Sequence, residues 1–142
     1  MIITQFIGFK ALERKFSSMS VKADLAMNKT VKELAKKGEG MARNLINQGP
    51  PRSGRPNFRR GYNRSAPYEP AKTDLGHLAY SISSSSLGKS GEFGTGLSYG
   101  VKLELGNGVA PRPFLLPTAF KLRRIAGATL ARNASKIRFG KI

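Results

Sequence analysis

The residues that could do chemistry are few. His77 is the only histidine in the chain. It lies close to Asp74, and the two types can act as an acid–base pair, but general acid–base work needs a partner held in position. A turn supplies no such hold, so the spacing predicts a solvent-facing histidine. Ser86-Leu87-Gly88-Lys89 fits S-x-x-K, in which a lysine stands near an acylating serine. The companion motifs S-D-N and K-T-G are absent, so the match reads as chance. Gly91-Glu92-Phe93-Gly94-Thr95-Gly96 departs from the dinucleotide pattern G-x-G-x-x-G and leads into no expected helix. With one histidine, no cysteine and scattered carboxylates, neither a metal site, a disulfide nor a cofactor is expected. Sequons at Asn28, Asn63 and Asn133 lack a secretory context. The residues predict a protein that is not an enzyme.

Charge is where the sequence speaks. Twenty-five Lys and Arg face eight Asp and Glu, a net charge of +17. An excess of that size repels itself and is relieved by a polyanion or an acidic partner surface. Gly49 to Lys72 (GPPRSGRPNFRRGYNRSAPYEPAK) carries Arg52, Arg55, Arg59, Arg60 and Arg64, interleaved with Phe58, Tyr62 and Tyr68. Arginine beside aromatic side chains suits phosphate contact and base stacking, and suits an acidic protein surface equally well. After Glu104 no acid occurs, while Arg112, Lys121, Arg123, Arg124, Arg132, Lys136, Arg138 and Lys141 follow. Zinc-finger spacing, an RNA-binding aromatic signature and a helix-turn-helix pattern are all missing. Such cations touch phosphates without reading sequence and lose affinity steeply with salt.

The elements that must hold these residues form an α+β single domain spanning 1–142. A long N-terminal helix and a C-terminal helix are expected to pack on a small antiparallel sheet of three to four strands, with 49–72 as a long Arg/Pro-rich arm. Ile2–Ile7 suits an edge strand. Phe9, Leu12, Phe16 and Met19 have helical spacing, and after Ser17, Ser18 and Ser20 a longer helix follows. Its stripe is Ala23, Met27, Val31, Leu34, Gly38, Met41 and Leu45, and Gly49-Pro50-Pro51 ends it. Whether that helix lies wholly on its own sheet or partly at a subunit contact stays open. Leu78, Tyr80, Ile82 and Ser84 alternate, as do Tyr99, Val101, Leu103 and Leu105, so a strand is expected at each, with a weak one over 92–97 between them. The segment 98–105 is expected to anchor the core. Gly106-Asn107-Gly108 ends it, and Pro111 and Pro113 deny a ladder its N–H donors. Gly106, Pro111, Pro113, Phe114 and Pro117 thus form a rigid hinge, Pro117 falling in the first turn of the closing helix. There Leu115, Ala119, Leu122, Ala126, Leu130, Ala134 and Ile137 share a face, and 139–142 are expected to fray. Ile2–Phe9 lacks the flanks of a signal peptide, and no run approaches the ~18 apolar residues of a membrane span. The sequence reads as soluble.

Three segments together resemble a family. Asp74-Leu75-Gly76-His77-Leu78 through Ser81-Ile82 resembles D-T-G-x-L…S-I. Tyr99-Gly100 through Glu104-Leu105-Gly106 resembles Y-A-x-x-x-E-F-G-T. Pro111-Arg112-Pro113-Phe114-Leu115 with Pro117 and Ala119 resembles A-R-P-F-L-x-P-A. These patterns belong to the small head–tail joining, neck or tail-completion proteins of tailed double-stranded DNA bacteriophages. The Arg/Pro-rich arm ending in Ser65-Ala66-Pro67-Tyr68-Glu69-Pro70 resembles the linker many members carry before the D-T-G segment. Leu75, Asn107 and the exchanged Pro and Ala before Arg112 depart from the pattern. The resemblance implies a structural virion protein without catalysis or cofactor, assembled in the host cytoplasm into a homo-oligomeric ring around the DNA channel. Its neighbours would be head-completion or connector proteins on one side and a tail terminator or tail tube on the other, with no membrane. Arg52, Arg55, Arg59, Arg60, Arg64, Arg112, Arg123 and Arg124 become candidates for subunit, connector or DNA contact. A tail terminator or minor tail component is the nearest alternative. A small non-specific nucleic-acid-binding protein is the alternative of a different class.

Overall fold

Apolar and small side chains recur at steps of three and four through Val21–Gln48, and this stretch forms one helix of 28 residues. The computed structural model describes residues 2–5, 21–49, 51–59, 61–72 and 76–137. In chain order its elements are β1 (Ile2–Gln5), α1 (Val21–Gln48), β2 (Pro56–Asn57), β3 (Tyr62–Asn63), α2 (His77–Ser81), β4 (Ile82–Leu87), β5 (Ser90–Thr95), α3 (Ser98–Leu105) and α4 (Leu115–Ser135). The class is α+β. The helix expected over Phe9–Met19 and the fraying expected over 139–142 lie outside the described residues.

β5 is the middle strand of an antiparallel sheet ordered β1-β5-β4. Ile2 pairs with Thr95 on one side, and Ile82 pairs with Thr95 on the other. Leu87 faces Ser90 across a two-residue turn, where Gly88 adopts φ 55°, a conformation that glycine takes without steric cost. The meander expected over 78–105 is therefore different. His77–Ser81 is a helical turn, and the strand begins only at Ile82.

The largest departure is 98–105, which is a helix and not the core strand. Tyr99 and Leu105 are exposed, and Val101 and Leu103 are half-buried. Eight residues are too few for an alternating pattern to exclude a helix. Gly106, at φ 75°, donates its N–H to Lys102 O at 2.8 Å and is a left-handed helix cap. Gly100 is the buried residue of this helix. A Cβ there would stand 2.9 Å from Thr95 Cγ2 and 3.0 Å from Leu78 Cδ1, so the absent side chain lets α3 sit against α2 and the end of β5.

α1 is buried on two sides, which explains why Ala26, Ala35, Ala42 and Ile46 join the expected stripe in the core. One side meets β4 and β5, the other meets α4. Gly38 stands at the junction. A Cβ there would fall 2.7 Å from Phe93 Cδ1 and 2.8 Å from Leu122 Cδ1. Phe93, Leu34, Ile82, Phe114 and Leu122 fill the interior, each worth roughly 1.5–3 kcal/mol for leaving water. The α1–α4 interface also buries polar groups that bond across it: Asn133 Nδ2 donates to Thr30 Oγ1 at 3.0 Å and to Glu33 Oε2 at 3.0 Å. Residue 30 meets 133 while 38 meets 122, so the two helices run antiparallel.

These contacts set opposite signs for two neighbouring glycines. Gly38→Val forces Phe93 and Leu122 apart and is expected to destabilise the fold by about 2–3 kcal/mol. Gly40 has nothing within 4 Å of its would-be Cβ, so Gly40→Ala is expected to add about 0.5–1 kcal/mol through helix propensity. Urea midpoints at constant slope measure both.

Candidate functional site

A helix N-terminus leaves backbone N–H groups without partners, and α4 begins with Phe114 as its cap, which offers no side-chain acceptor. Glu104, ten residues back at the end of α3, supplies one. Its Oε2 accepts from Phe114 N at 2.7 Å and Leu115 N at 3.0 Å, and its Oε1 from Leu116 N at 2.8 Å. A carboxylate is also the charge that the positive end of a helix dipole favours. Arg112 N donates to Leu103 O at 2.6 Å, closing the loop between the helices. The residues read as a hinge thus lie in a loop closed by backbone bonds. A Cβ on Gly106 would stand 2.9 Å from Pro111 Cδ, Phe114 is fully buried, and Pro117 lies in the first turn of α4, with Pro113 half-buried before it.

This corner turns apolar side chains outward. Leu116 and Phe120, one helical turn apart, are both more than half exposed. Leu105 is 68% exposed, next to the capping Glu104, and Val109 is exposed in the loop between. The sequence pattern assigns Leu105 to the core and leaves Leu116 and Phe120 without a role. Their signal was present, since they fall off the face shared by Leu115, Ala119 and Leu122.

The segment 49–72 is not a free arm. Arg52 is 5% exposed, and its guanidinium donates to Leu45 O at 3.0 Å and Ala71 O at 3.4 Å. Burial is the main influence on that guanidinium and lowers its pKa, with Glu69 opposing. Arg52 therefore works inside the molecule instead of at a contact. Arg112 is tied similarly: its Nε donates to Ser65 O at 3.0 Å and its Nη1 to Ala110 O at 3.4 Å. Tyr68 N donates to Pro111 O at 2.7 Å, with Tyr68 in the left-handed region at φ 67°. Glu69 accepts from the Ser53 hydroxyl, from Ser53 N at 3.0 Å and from Ala66 N at 2.8 Å, and those bonds hold its carboxyl below the ordinary range. Pinned at both stems, the segment projects only the short β2–β3 ribbon, in which Pro56 pairs with Asn63. At its tip Phe58 is 94% exposed, beside exposed Arg55, Arg59 and Arg64. Arg60 lies outside the described residues.

The described carboxylates are consumed internally. Asp24 pairs with Lys89 at 2.9 Å, and Glu92 accepts from Ser85 Oγ at 2.8 Å. Glu39 is 4% exposed; it takes Lys36 at 3.0 Å, Arg43 at 2.9 Å and Ser84 Oγ at 2.5 Å, while Arg43 also donates to Ile82 O at 2.7 Å. That cluster clamps α1 to β4. Glu33 bonds Arg132 and Asn133. With Glu69 and Glu104 these are all the described acids; Glu13 and Asp74 lie outside the described residues. The cations are not matched. Lys29, Lys32, Lys102, Lys121, Arg123 and Arg124 stand exposed without a carboxylate bond among the described residues.

No cluster that could hold a metal ion occurs among the described residues. Of the groups singled out for chemistry, His77 is exposed at the start of α2, Ser86 is exposed in β4, and Lys89 in the following turn gives its ammonium to Asp24. No described helix is long and apolar enough to cross a membrane. Compared with known proteins, the chain matches no family model, no curated protein and no solved structure. The described surface presents an apolar corner, together with exposed cations that have no carboxylate bond among the described residues.

Two measurements check this geometry. Glu104→Ala strips three N–H groups of their acceptor and is expected to cost about 1–3 kcal/mol; Glu104→Gln keeps an acceptor without the charge and is expected to cost less, both read by urea unfolding. Burial raises the Glu39 carboxyl, but bonds from Ser84 and Lys36 and the charges of Arg43 and Lys36 outweigh it and leave the pKa lowered. The Asn133 bond, with Arg132 and Lys37, lowers Glu33 against a smaller desolvation. Depressed folded values mean stability that is fully present above the ordinary carboxylate value of 4.5 and is lost as pH falls through the lower folded values. Thermal melts are expected to fall over that window, and the loss is expected to shrink in Glu39→Gln.

Proposed function

We propose that this protein is a non-enzymatic structural component of a phage neck, a ring-forming adaptor that joins the head connector to the tail around the DNA channel. The observation that carries this reading is the corner at which the three resembling segments meet. Leu78 packs against Gly100, Glu104 caps the helix opened by Pro111–Leu115, and Arg112 closes on Leu103. Segments far apart in the chain serve one construction, and that construction presents Leu105, Val109, Leu116 and Phe120 to solvent.

A second copy is the occupant we assign to the corner. Every described carboxylate is already engaged, so copies of this chain have no described acid to offer one another's cations. That favours contact between copies through apolar area, and a ring uses a heterologous contact that closes by rotation. The remaining cations are left for connector proteins, tail proteins or DNA. The unmatched charge also favours a second reading, a small non-specific nucleic-acid-binding protein that works outside any particle.

Leu116→Ser with Phe120→Ser is expected to leave the melting curve close to wild type and to abolish ring formation in sedimentation. The same variant is expected to fail to restore infectivity to lysates containing heads and tails that lack the protein. Electron microscopy of particles carrying a labelled wild-type chain is expected to show density at the head–tail junction. Label elsewhere in the particle, or in none of it, overturns the neck assignment.

A further inference from the structure

We propose that the outer face of the α1–α4 pair is a binding surface for the phosphate backbone of duplex DNA. Lys121, Arg124, Ala128, Arg132 and Lys136 follow one another at steps of three, four, four and four, which places them along one exposed line of α4. Across the seam Lys37 stands one turn beyond Glu33, close enough for its charge to act on that carboxyl. Glu33 is the only described carboxylate on this seam, and it is already held by Arg132 and Asn133. From Lys121 to Lys136 the line is about 22 Å long, the axial length of about six base pairs.

An acid-rich protein would relieve the same charge, but the shape of the surface favours a phosphate backbone. Protein interfaces set an apolar centre inside a polar rim, and no large exposed apolar side chain falls between Lys121 and Lys136, or on α1 beyond Lys29. What lies between the cations is small: Gly127, Ala128 and Ala131 on α4 and Gly40 on α1, all exposed. A low floor with raised cations lets a rigid, evenly charged rod lie close. Both helices are fixed to each other through Gly38 and Asn133, so the positions that carry the cations are set before the ligand arrives. Cations touching only phosphates bind without sequence preference. This assignment deepens the neck reading, on which it rests for the source of the duplex, by giving the channel a definite wall.

The test is fluorescence anisotropy of the full chain with a labelled duplex of mixed sequence, between about 50 and 200 mM salt. Three proteins are compared: wild type, Lys121→Ser with Arg124→Ser and Lys136→Ser, and Arg55→Ser with Arg59→Ser from the ribbon tip. Arg132 is left in place because it bonds Glu33. The helix variant is expected to weaken binding at low salt at least tenfold and to flatten the log–log salt slope by about 2.7, three phosphate contacts' worth. The ribbon variant is expected to keep the wild-type slope. Undetectable duplex binding by wild type, an unchanged slope in the helix variant, or loss confined to the ribbon variant overturns the proposal. Polyglutamate competing as well as duplex of equal charge overturns it in favour of an acidic protein partner. None of these failures touches the location of the ring in the particle, which microscopy reads separately.

Discussion

One carboxylate sets the direction of the closing helix. Glu104 ends α3 and caps α4 in the same act, receiving the three N–H groups that Phe114, Leu115 and Leu116 would otherwise direct at water. With that end anchored and Phe114 buried beneath it, α4 lies along α1 in a defined register. Leu122 then comes to Gly38 and Asn133 to Thr30. The same register decides which residues of α4 are left outside, so the apolar corner and the cationic line both follow from it.

Internal use of acids is the second organising constraint. Eight acids among 142 residues could have been scattered over the surface as solubilising pairs. Instead, the described ones hold elements together: Glu39 joins α1 to β4, Glu33 joins α1 to α4, Glu69 closes the long loop, and Glu104 joins α3 to α4. Exposed pairs contribute little to stability, whereas carboxylates accepting backbone or buried donors specify geometry. The outcome is a scaffold stitched by its acids and a surface abandoned to its bases.

Much of this was legible in the sequence where a pattern ran long enough. α1 and α4 repeat the helical spacing over many turns, and their positions follow from it, as does the stop at Gly49. The segment 98–105 did not, because four alternating apolar residues fit a short strand and a short helix alike. What decided it was remote: the space Gly100 leaves for Leu78 and Thr95, and the need of α4 for a carboxylate. Composition marked 49–72 as a loop but could not reveal that Arg52 turns inward to carbonyls at Leu45 and Ala71, since arginines in a Pro/Gly-rich run look alike. Thr30, Glu39 and Asn133 were invisible as core residues for a related reason. A buried polar side chain is recognisable only with its partner, and the partners of Asn133 lie about a hundred positions away.

The double clamp on the long loop has an engineering consequence. Because Arg52 ties one stem to the carbonyl of Leu45 and Arg112 reaches from the body to the carbonyl of Ser65 on the other, the ribbon between them is held at both of its ends. Extra residues grafted beside Phe58 would lengthen the tip without shifting either stem. That makes the tip the natural place for an epitope or a dye on this chain.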